Sequence, residues 1–403
     1  MAQFTRLMCS AILAATVFVV TGCAGVRPVS QVAPHELFAD GLFKPPAAPA
    51  STAGLFDLSP AMRTYLQSPR FKALLRTHGP ERGLVEALYR TGELRLDYDA
   101  TVTRNAADTY DLRMGNCLSL VIMTAAFAKE LGLPVQFNDV AVEQLWSRNG
   151  DMYFANTHVN LTIGRILGNA IQNVGSTRAL TVDFIPSEDS AALHSRPIDE
   201  SAILAMYMNN RAAELMTERK FDDAYWWARN MLEQHPDHLN GYNTLGVVYQ
   251  RHGDFVMAEK VFRAGLVLEP ENRNLMNNLI PVLAGLGKAE EAQALKLRLA
   301  SIDPTPPFHY FRKGQTAMAR GDFKEARTMF TKEVRRSPFY HEFHFWLALA
   351  QLGLGERGAA REQLSLAMET SNTKELSRRY SAKLEHLRAS AAQRPFAMYA
   401  PPG

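Results

Sequence analysis

The apolar residues of this chain follow two different periods. Between residues 135 and 184 they alternate with polar residues, which predicts short strands. From Ser201 to about residue 388 they recur at helical spacing. The same spacing precedes the strands and predicts helices over Met62–Leu75, Pro80–Gly92 and Cys117–Leu131, with a helix or a loop over Thr101–Tyr110.

The predicted strands carry polar side chains on one face. Met152–Gly164 alternates apolar residues with polar ones that include His158. Val135–Val142 precedes it, and Leu180–Phe184 follows it with Asp183 on the polar side. Helices followed by a small antiparallel sheet predict an α+β domain, which we place at residues 56–200.

The long helical part repeats itself every 34 residues. Prolines and alanines recur in one register, and glycines mark the turns: Pro236, Pro270, Pro304, Pro338, Ala224, Ala258, Ala292, Ala326, Ala360, Gly253, Gly287, Gly321 and Gly355. The pattern resembles the tetratricopeptide repeat. The resemblance implies an all-α solenoid of about five repeats over 201–372, rather than an ordinary helical bundle, with a protein or peptide partner in its groove. Residues 373–403 then form a capping helix and a loose tail.

The N-terminus has the pattern of an export signal. An apolar stretch, Leu7–Thr21, ends in Val20-Thr21-Gly22-Cys23. This ending resembles the lipobox of bacterial lipoproteins, which implies a signal peptide over 1–22 and lipidation of Cys23. An uncleaved anchor over about Leu7–Val26 is the alternative. Because Ala24 replaces the aspartate that retains such proteins at the inner membrane, the resemblance implies the outer membrane, facing the periplasm.

Proline and alanine are frequent in residues 23–55, which predicts a tether. One motif, Glu36-Leu37-Phe38, interrupts this composition, and we expect it to dock on the first domain. The net charge of +3 and the lack of a basic block give no reason to expect a nucleic-acid partner. The 11 histidines lack metal-ligand spacing and no CxxC or phosphate-binding glycine loop occurs, so we predict no metal and no cofactor.

Cys117 is the most distinctive residue of the first domain. It follows the turn-forming pair Gly115-Asn116 and begins an apolar helical run, which places it at a helix N-terminus. The helix dipole there favours a thiolate, the reactive form of cysteine. Cys9 leaves with the signal and Cys23 carries lipid, so Cys117 stays unpaired in an oxidising compartment. We interpret it as a nucleophile; the alternative is a small residue that packs a helix start.

A cysteine nucleophile needs a base and a residue that orients the base. His158 is the candidate base because it lies on the polar face of a predicted strand. Asp183 is the candidate orienting residue, since side chains on the polar faces of neighbouring strands can meet across the ladder. Asp189 and Asn173 are the alternatives to Asp183.

At these residues the chain resembles the transglutaminase-like superfamily of bacterial proteins, relatives of the papain-like cysteine enzymes. Residues 115–120 resemble its nucleophile segment, His158-Val159-Asn160 its histidine strand and Val182-Asp183 its aspartate strand. The resemblance covers about residues 94–186 and implies Cys117 as nucleophile, His158 as base and then acid, and Asp183 as orienting residue. The connection over residues 165–178 is longer than in that family.

Together these features predict a membrane-anchored periplasmic cysteine hydrolase or acyltransferase that acts on a peptide or protein amide. The backbone N–H of Cys117 and a second donor would hold the oxyanion. Trp146 and Tyr153 either line a substrate groove or belong to the core. The alternative function is an inactive transglutaminase-like scaffold or adaptor lipoprotein that binds protein partners through its repeats.

Overall fold

The structure is a computed structural model that describes residues 32–46, 48–90, 96–149, 152–164, 179–184, 195–371 and 373–392. Within these ranges the chain forms sixteen α-helices and six β-strands. Among the residues so described, no helix has the length and apolar character needed to cross a bilayer. The predicted signal peptide and Cys23 lie outside the described residues.

Five helices belong to the first domain: α1 Pro60–Gln67, α2 Pro69–His78, α3 Pro80–Val85, α4 Ala106–Leu112 and α5 Cys117–Glu130. The single helix predicted over Met62–Leu75 is two helices, because Pro69 cannot continue the first one. Ser68 between them is extended, and its hydroxyl caps α2 by accepting from the backbone N–H of Phe71 at 3.2 Å. Each of the first three helices begins with a proline, whose missing N–H costs nothing at that position.

The six strands are β1 Asp97–Tyr98, β2 Met114–Gly115, β3 Val135–Asn149, β4 Met152–Ile163, β5 Leu180–Val182 and β6 Ser195–Ile198. The first two form a short parallel pair, and the other four form an antiparallel sheet in the order β5-β4-β3-β6. Leu161 lies opposite Val182 in this sheet, which brings the polar residues of β4 towards the end of β5. Strand β6 gave no alternating pattern in the sequence, and it pairs along the outer edge of β3.

Helix α5 is the centre of the first-domain core. It is apolar on nearly every side because it packs between the other helices and β4. Ile122 and Phe127 on the helix and Leu161 and Ile163 on the strand are fully buried in one cluster. This packing fixes the N-terminal end of α5, where Cys117 lies, against the polar end of the sheet.

The second part of the chain is built from antiparallel helix pairs. The helices are α6 Glu200–Thr217, α7 Phe221–Gln234, α8 Leu239–His252, α9 Phe255–Leu268, α10 Arg273–Gly285, α11 Ala289–Ile302, α12 His309–Ala319, α13 Phe323–Arg336, α14 His341–Gly353, α15 Arg357–Glu369 and α16 Lys374–Ala392. A Cβ at Gly246 would lie 2.5 Å from the ring of Phe262, and one at Gly314 would lie 2.5 Å from the ring of Phe330. The small residue of the first helix therefore makes room for the large residue of the second.

Helix α6 belongs to both parts of the molecule. Ile203 near its start is buried in the first-domain core, while Ala212 and Leu215 near its end are buried among the repeats. Lys129 of α5 also forms an ion pair with Glu200 at 2.5 Å. The first domain is thus packed directly on the first helix pair.

The N-terminal strap, which we define as residues 32–46, packs on the repeats. We had expected its Glu36-Leu37-Phe38 motif to dock on the first domain, and that prediction is wrong. Leu37 and Phe43 are buried in the repeat core. The ring of Phe43 stacks on that of Tyr225 with the centroids 3.9 Å apart, and the Tyr249 hydroxyl donates to the Leu37 carbonyl at 2.9 Å. The strap lies between α7 and α9, so this half of the predicted tether is a packed element.

Candidate active site

The turn before α5 places Cys117 at the first position of the helix. Asn116 is the N-cap, and its Oδ1 accepts from the backbone N–H of Ser119 at 2.9 Å. Gly115 is required because a Cβ there would lie 2.7 Å from the Cβ of Ser119. Cys117 itself is a free cysteine that is partly exposed.

His158 is a buried residue of β4, with 3% of its surface exposed. Its Nε2 lies 2.6 Å from Oδ1 of Asp183, and its side chain also interacts with that of Cys117. Burial opposes the charge on the ring, but the hydrogen bonds with Asp183 and Cys117 and their negative charges outweigh it. Together they raise the pKa of His158 to about 9. The imidazolium form is therefore favoured through the neutral range.

Asp183 is held from both of its oxygens. Oδ1 binds His158, and Oδ2 accepts from Nδ2 of Asn160 at 3.0 Å. The Asn160 carbonyl accepts in turn from Nδ2 of Asn138 on β3 at 2.9 Å, and Nδ2 of Asn138 also lies 3.2 Å from the Thr162 hydroxyl. These polar side chains occupy one face of the sheet and are largely satisfied by each other, which orients the carboxylate towards the imidazole.

Asn160 and Asn138 are functional candidates that the sequence reasoning missed. The resemblance covered Asn160 as part of a motif but gave it no role. A usable signal was present, because Asn160 and Thr162 share the polar face of β4 with His158 at the two-residue period of a strand. Asn138 has no such signal, since its contact with β4 follows from the strand register.

Tyr98 is a third residue that the sequence reasoning missed. Tyr98 on β1 pairs with Gly115 on β2, and Gly115 lies two residues before Cys117. The Tyr98 side chain is 45% exposed, yet desolvation of its hydroxyl and the electrostatic interaction with Cys117 raise the pKa of Tyr98, and a hydrogen bond with the Cys117 backbone opposes that shift. The Tyr98 hydroxyl is therefore protonated and lies against the start of α5.

The structure brings together the three residues chosen from the sequence, in the order sulfur, imidazole and carboxylate. Their catalytic role stays a prediction. Asp189 and Asn173, the alternatives to Asp183, and the side chains of Trp146 and Tyr153 lie outside what the structure describes. Among the described residues, no group of three His, Cys, Asp or Glu side chains could hold a metal ion.

The comparisons with known proteins concern the helical part. The family model described as tetratricopeptide repeat matches residues 311–372. The chain carries tetratricopeptide repeats. The prediction of tetratricopeptide repeats from the 34-residue spacing is thus confirmed. Such repeats are modules of protein–protein interaction.

Two curated relatives match over a limited length. A "Protein STIP1 homolog" from Dictyostelium discoideum is 27% identical over 151 residues, which is 36% of this chain and 25% of that protein. A "Heat shock protein sti1 homolog" from Schizosaccharomyces pombe is 28% identical over 140 residues, or 33% of this chain and 22% of that protein. The chain thus spans about a quarter of the length of these relatives.

Solved structures are also similar in part. A structure from the functional characterisation of Pseudomonas aeruginosa PilF is 19% identical and covers 48% of this chain and 90% of its own, with a TM-score of 0.29. YrrB, described as a TPR protein with an unusual peptide-binding site, is 20% identical and covers 44% of this chain and 92% of its own, with a TM-score of 0.24.

Proposed function

We propose that this protein is a cysteine hydrolase or acyltransferase that acts on an amide bond of a peptide or protein. Cys117 is the nucleophile, His158 the base and then the acid, and Asp183 the residue that orients His158. The observation that carries the proposal is the 2.6 Å bond between His158 and Asp183, on a histidine whose pKa is also raised by its interaction with Cys117. The repeats bind the protein partner.

The chemistry follows from that arrangement. His158 first takes the proton of the Cys117 thiol, which gives the ion pair. The thiolate then attacks the amide carbon, and the carbonyl oxygen takes up the negative charge. When the carbon–nitrogen bond breaks, the His158 imidazolium gives its proton to the leaving amine and a thioester remains. Water or an acceptor amine then attacks the thioester, loses its proton to His158 and releases the Cys117 sulfur.

The oxyanion requires donors beside the sulfur. The backbone N–H of Cys117 lies at the start of α5, where the helix dipole also favours negative charge. The protonated Tyr98 hydroxyl lies against the same point and can donate a second hydrogen bond to the developing oxyanion. Tyr98 is thus our candidate for the second donor that the sequence did not identify.

The reactivity of Cys117 towards iodoacetamide tests this function without a known substrate. We expect rapid alkylation near neutral pH, and a fall of about 100-fold in His158→Ala, because the thiolate loses the imidazolium that is its charge partner. His35→Ala, an exposed histidine of the strap, is the control and should react like the wild type. Slow alkylation of the wild type that His158→Ala leaves unchanged would exclude a nucleophile.

An inactive adaptor is the second candidate function. It is supported by the repeats themselves and by their similarity to the STIP1 and Sti1 homologues, because binding of a partner needs no chemistry at Cys117. The slow alkylation just described would favour it.

We also propose that the protein is anchored at the outer membrane, facing the periplasm, through lipid on Cys23. Support comes from the apolar stretch before Val20-Thr21-Gly22-Cys23. Cys23→Ser should move the protein from the membrane fraction to the soluble fraction of cells. A variant that stays in the membrane fraction would contradict the lipid anchor.

A further inference from the structure

Thr103 is a point at which the first domain is hydrogen-bonded to the repeats. It lies between β1 and α4, and only 2% of its surface is exposed. Its backbone N–H donates to Oε1 of Glu214 on α6 at 2.6 Å, and Nδ2 of Asn210, one turn earlier on α6, donates to its hydroxyl at 3.1 Å. Two side chains of the first repeat helix thus hold one residue of the first domain by its main chain and by its side chain.

Glu214 is itself held in place. Arg211 lies one turn earlier on α6 and forms an ion pair with its carboxylate, which also accepts from the Thr103 hydroxyl. Burial raises the pKa of Glu214, whereas Arg211 and the hydrogen bonds from Thr103 oppose that shift. A covered carboxylate that lost these donors would keep its cost of desolvation, so the contact with Thr103 is strongly favoured.

On its other side Thr103 holds the cap of α5. Its hydroxyl accepts from Nδ2 of Asn116 at 2.8 Å, and Asn116 is the N-cap residue that precedes Cys117. Oδ1 of Asn116 accepts from the backbone N–H of Ser119 at 2.9 Å and from its hydroxyl at 2.8 Å. Because the Asn116 amide has one donor end and one acceptor end, its bond to Thr103 turns the acceptor towards the helix.

The segment that carries Thr103 also leads to Tyr98, our candidate for the second oxyanion donor. The backbone N–H of Arg104 donates to the Ser119 hydroxyl at 2.9 Å, and the Arg104 guanidinium pairs with Asp99 at 2.9 Å. Asp99 follows Tyr98 directly. A displacement of Thr103 by α6 therefore reaches the nucleophile through the cap and Tyr98 through this segment.

The other polar contacts of this kind join one repeat to the next. The Thr244 hydroxyl of α8 donates to Oδ1 of Asn209 on α6 at 2.6 Å, and Nδ2 of Asn278 on α10 donates to Oδ1 of Asn243 on α8 at 2.8 Å. Asn278 has the register of Asn210 two repeats further on. The chain thus offers matched controls for the bonds that hold Thr103.

We propose that helix α6 of the repeats supports the candidate active site, so that the reactivity of Cys117 depends on the position of the first repeat. Asn210 and Glu214 hold Thr103. Thr103 in turn holds Asn116, which caps the helix that begins at Cys117. These four are positioning residues, since each acts through the next. The link between α6 and the cap stands independently of catalysis, whereas its effect on the reaction rests on the proposed function.

The link is tested by hydrogen exchange of the Ser119 backbone amide in the full chain. Thr103→Val removes the acceptor of Asn116 and keeps the shape of the side chain, so we expect exchange to become about tenfold faster. Asn210→Leu acts one bond further away on a half-buried residue, so we expect about threefold. Thr103→Ser keeps the hydroxyl and should exchange like the wild type.

Alkylation of Cys117 by iodoacetamide tests the effect on the site. Thr103→Val and Asn210→Leu should slow it by similar factors, because the first turn of α5 no longer holds the thiolate as firmly. Thr244→Val and Asn278→Leu are the controls. They lose bonds of the same kind between repeats, so they should cost similar stability in urea and leave both the exchange of Ser119 and the alkylation unchanged.

The outcomes separate the two claims. Faster exchange and slower alkylation in Thr103→Val and Asn210→Leu, with Thr103→Ser and both controls like the wild type, would support the proposal. Unchanged exchange of Ser119 in Asn210→Leu, a Thr103→Ser variant as impaired as Thr103→Val, or equal effects in the controls would overturn it. A wild-type Cys117 that is unreactive, beside faster exchange in Asn210→Leu, would refute the proposed enzyme and leave the link between α6 and the cap standing.

Discussion

The repeats and the first domain differ in how their contacts are distributed. In the repeats one contact recurs at fixed spacing, as Gly246 against Phe262 and again as Gly314 against Phe330. In the first domain the candidate site is assembled once, from the start of α5, the middle of β4 and the end of β5. The comparison suggests that single substitutions among the repeats should cost stability, whereas those around Cys117 should chiefly cost reactivity.

The largest effect is expected from Phe262→Ala. The ring is fully buried and fills the space left by Gly246, so its removal should lower the free energy of unfolding by about 3–5 kcal/mol. Urea denaturation followed by circular dichroism measures the loss. Alkylation of Cys117 in the molecules that stay folded should be unchanged.

Val256→Ala on the same helix is the matched control. Val256 is 70% exposed, so its truncation should change stability by less than about 0.5 kcal/mol. The contrast between the two parts would fail if Phe262→Ala reduced the reactivity of folded protein as strongly as it reduced stability.

A second effect is the pH dependence of stability. The folded pKa of His158 is raised to about 9 from its usual value of 6.5, so the imidazolium stabilises the fold below about pH 6.5. That contribution, about 3 kcal/mol, is lost as the pH rises through the folded pKa. Denaturation of the wild type and His158→Gln across this range should show their difference shrink towards alkaline pH. A constant difference would contradict the buried imidazolium.

A smaller effect is expected from Asn160→Leu. This change removes the donor that holds Oδ2 of Asp183 and should lower stability by about 1–2 kcal/mol. Because Asp183 is then less firmly placed, alkylation of Cys117 should slow several-fold. Thr162→Val is the control on the same strand, since it also loses hydrogen bonds but does not touch Asp183. Equal loss of reactivity in both variants would assign Asn160 a purely structural role.

Repetition explains why so much of the helical part could be predicted. The register of Pro236, Pro270 and their successors marks every pair of helices, and a pattern that recurs can be recognised without a structure. The small sheet was predicted from a change of period at Val135, although Pro69 split one predicted helix and β6 gave no signal.

The candidate site was only partly predictable, because its contacts do not recur along the chain. Cys117 and His158 could be chosen by residue type and position within one element. Asn138 and Tyr98 reach the site through strand pairing, which brings together residues distant in sequence. The strap was misjudged because its proline-rich composition hid two anchoring residues, Leu37 and Phe43.

The ultraviolet absorbance of the Cys117 thiolate tests the central claim most directly. The difference spectrum between the wild type and Cys117→Ser should show a thiolate band at neutral pH, because the His158 imidazolium is its charge partner. The band should disappear at neutral pH in His158→Ala. A wild type without the band at neutral pH, or a band that His158→Ala leaves unchanged, would contradict the paired nucleophile.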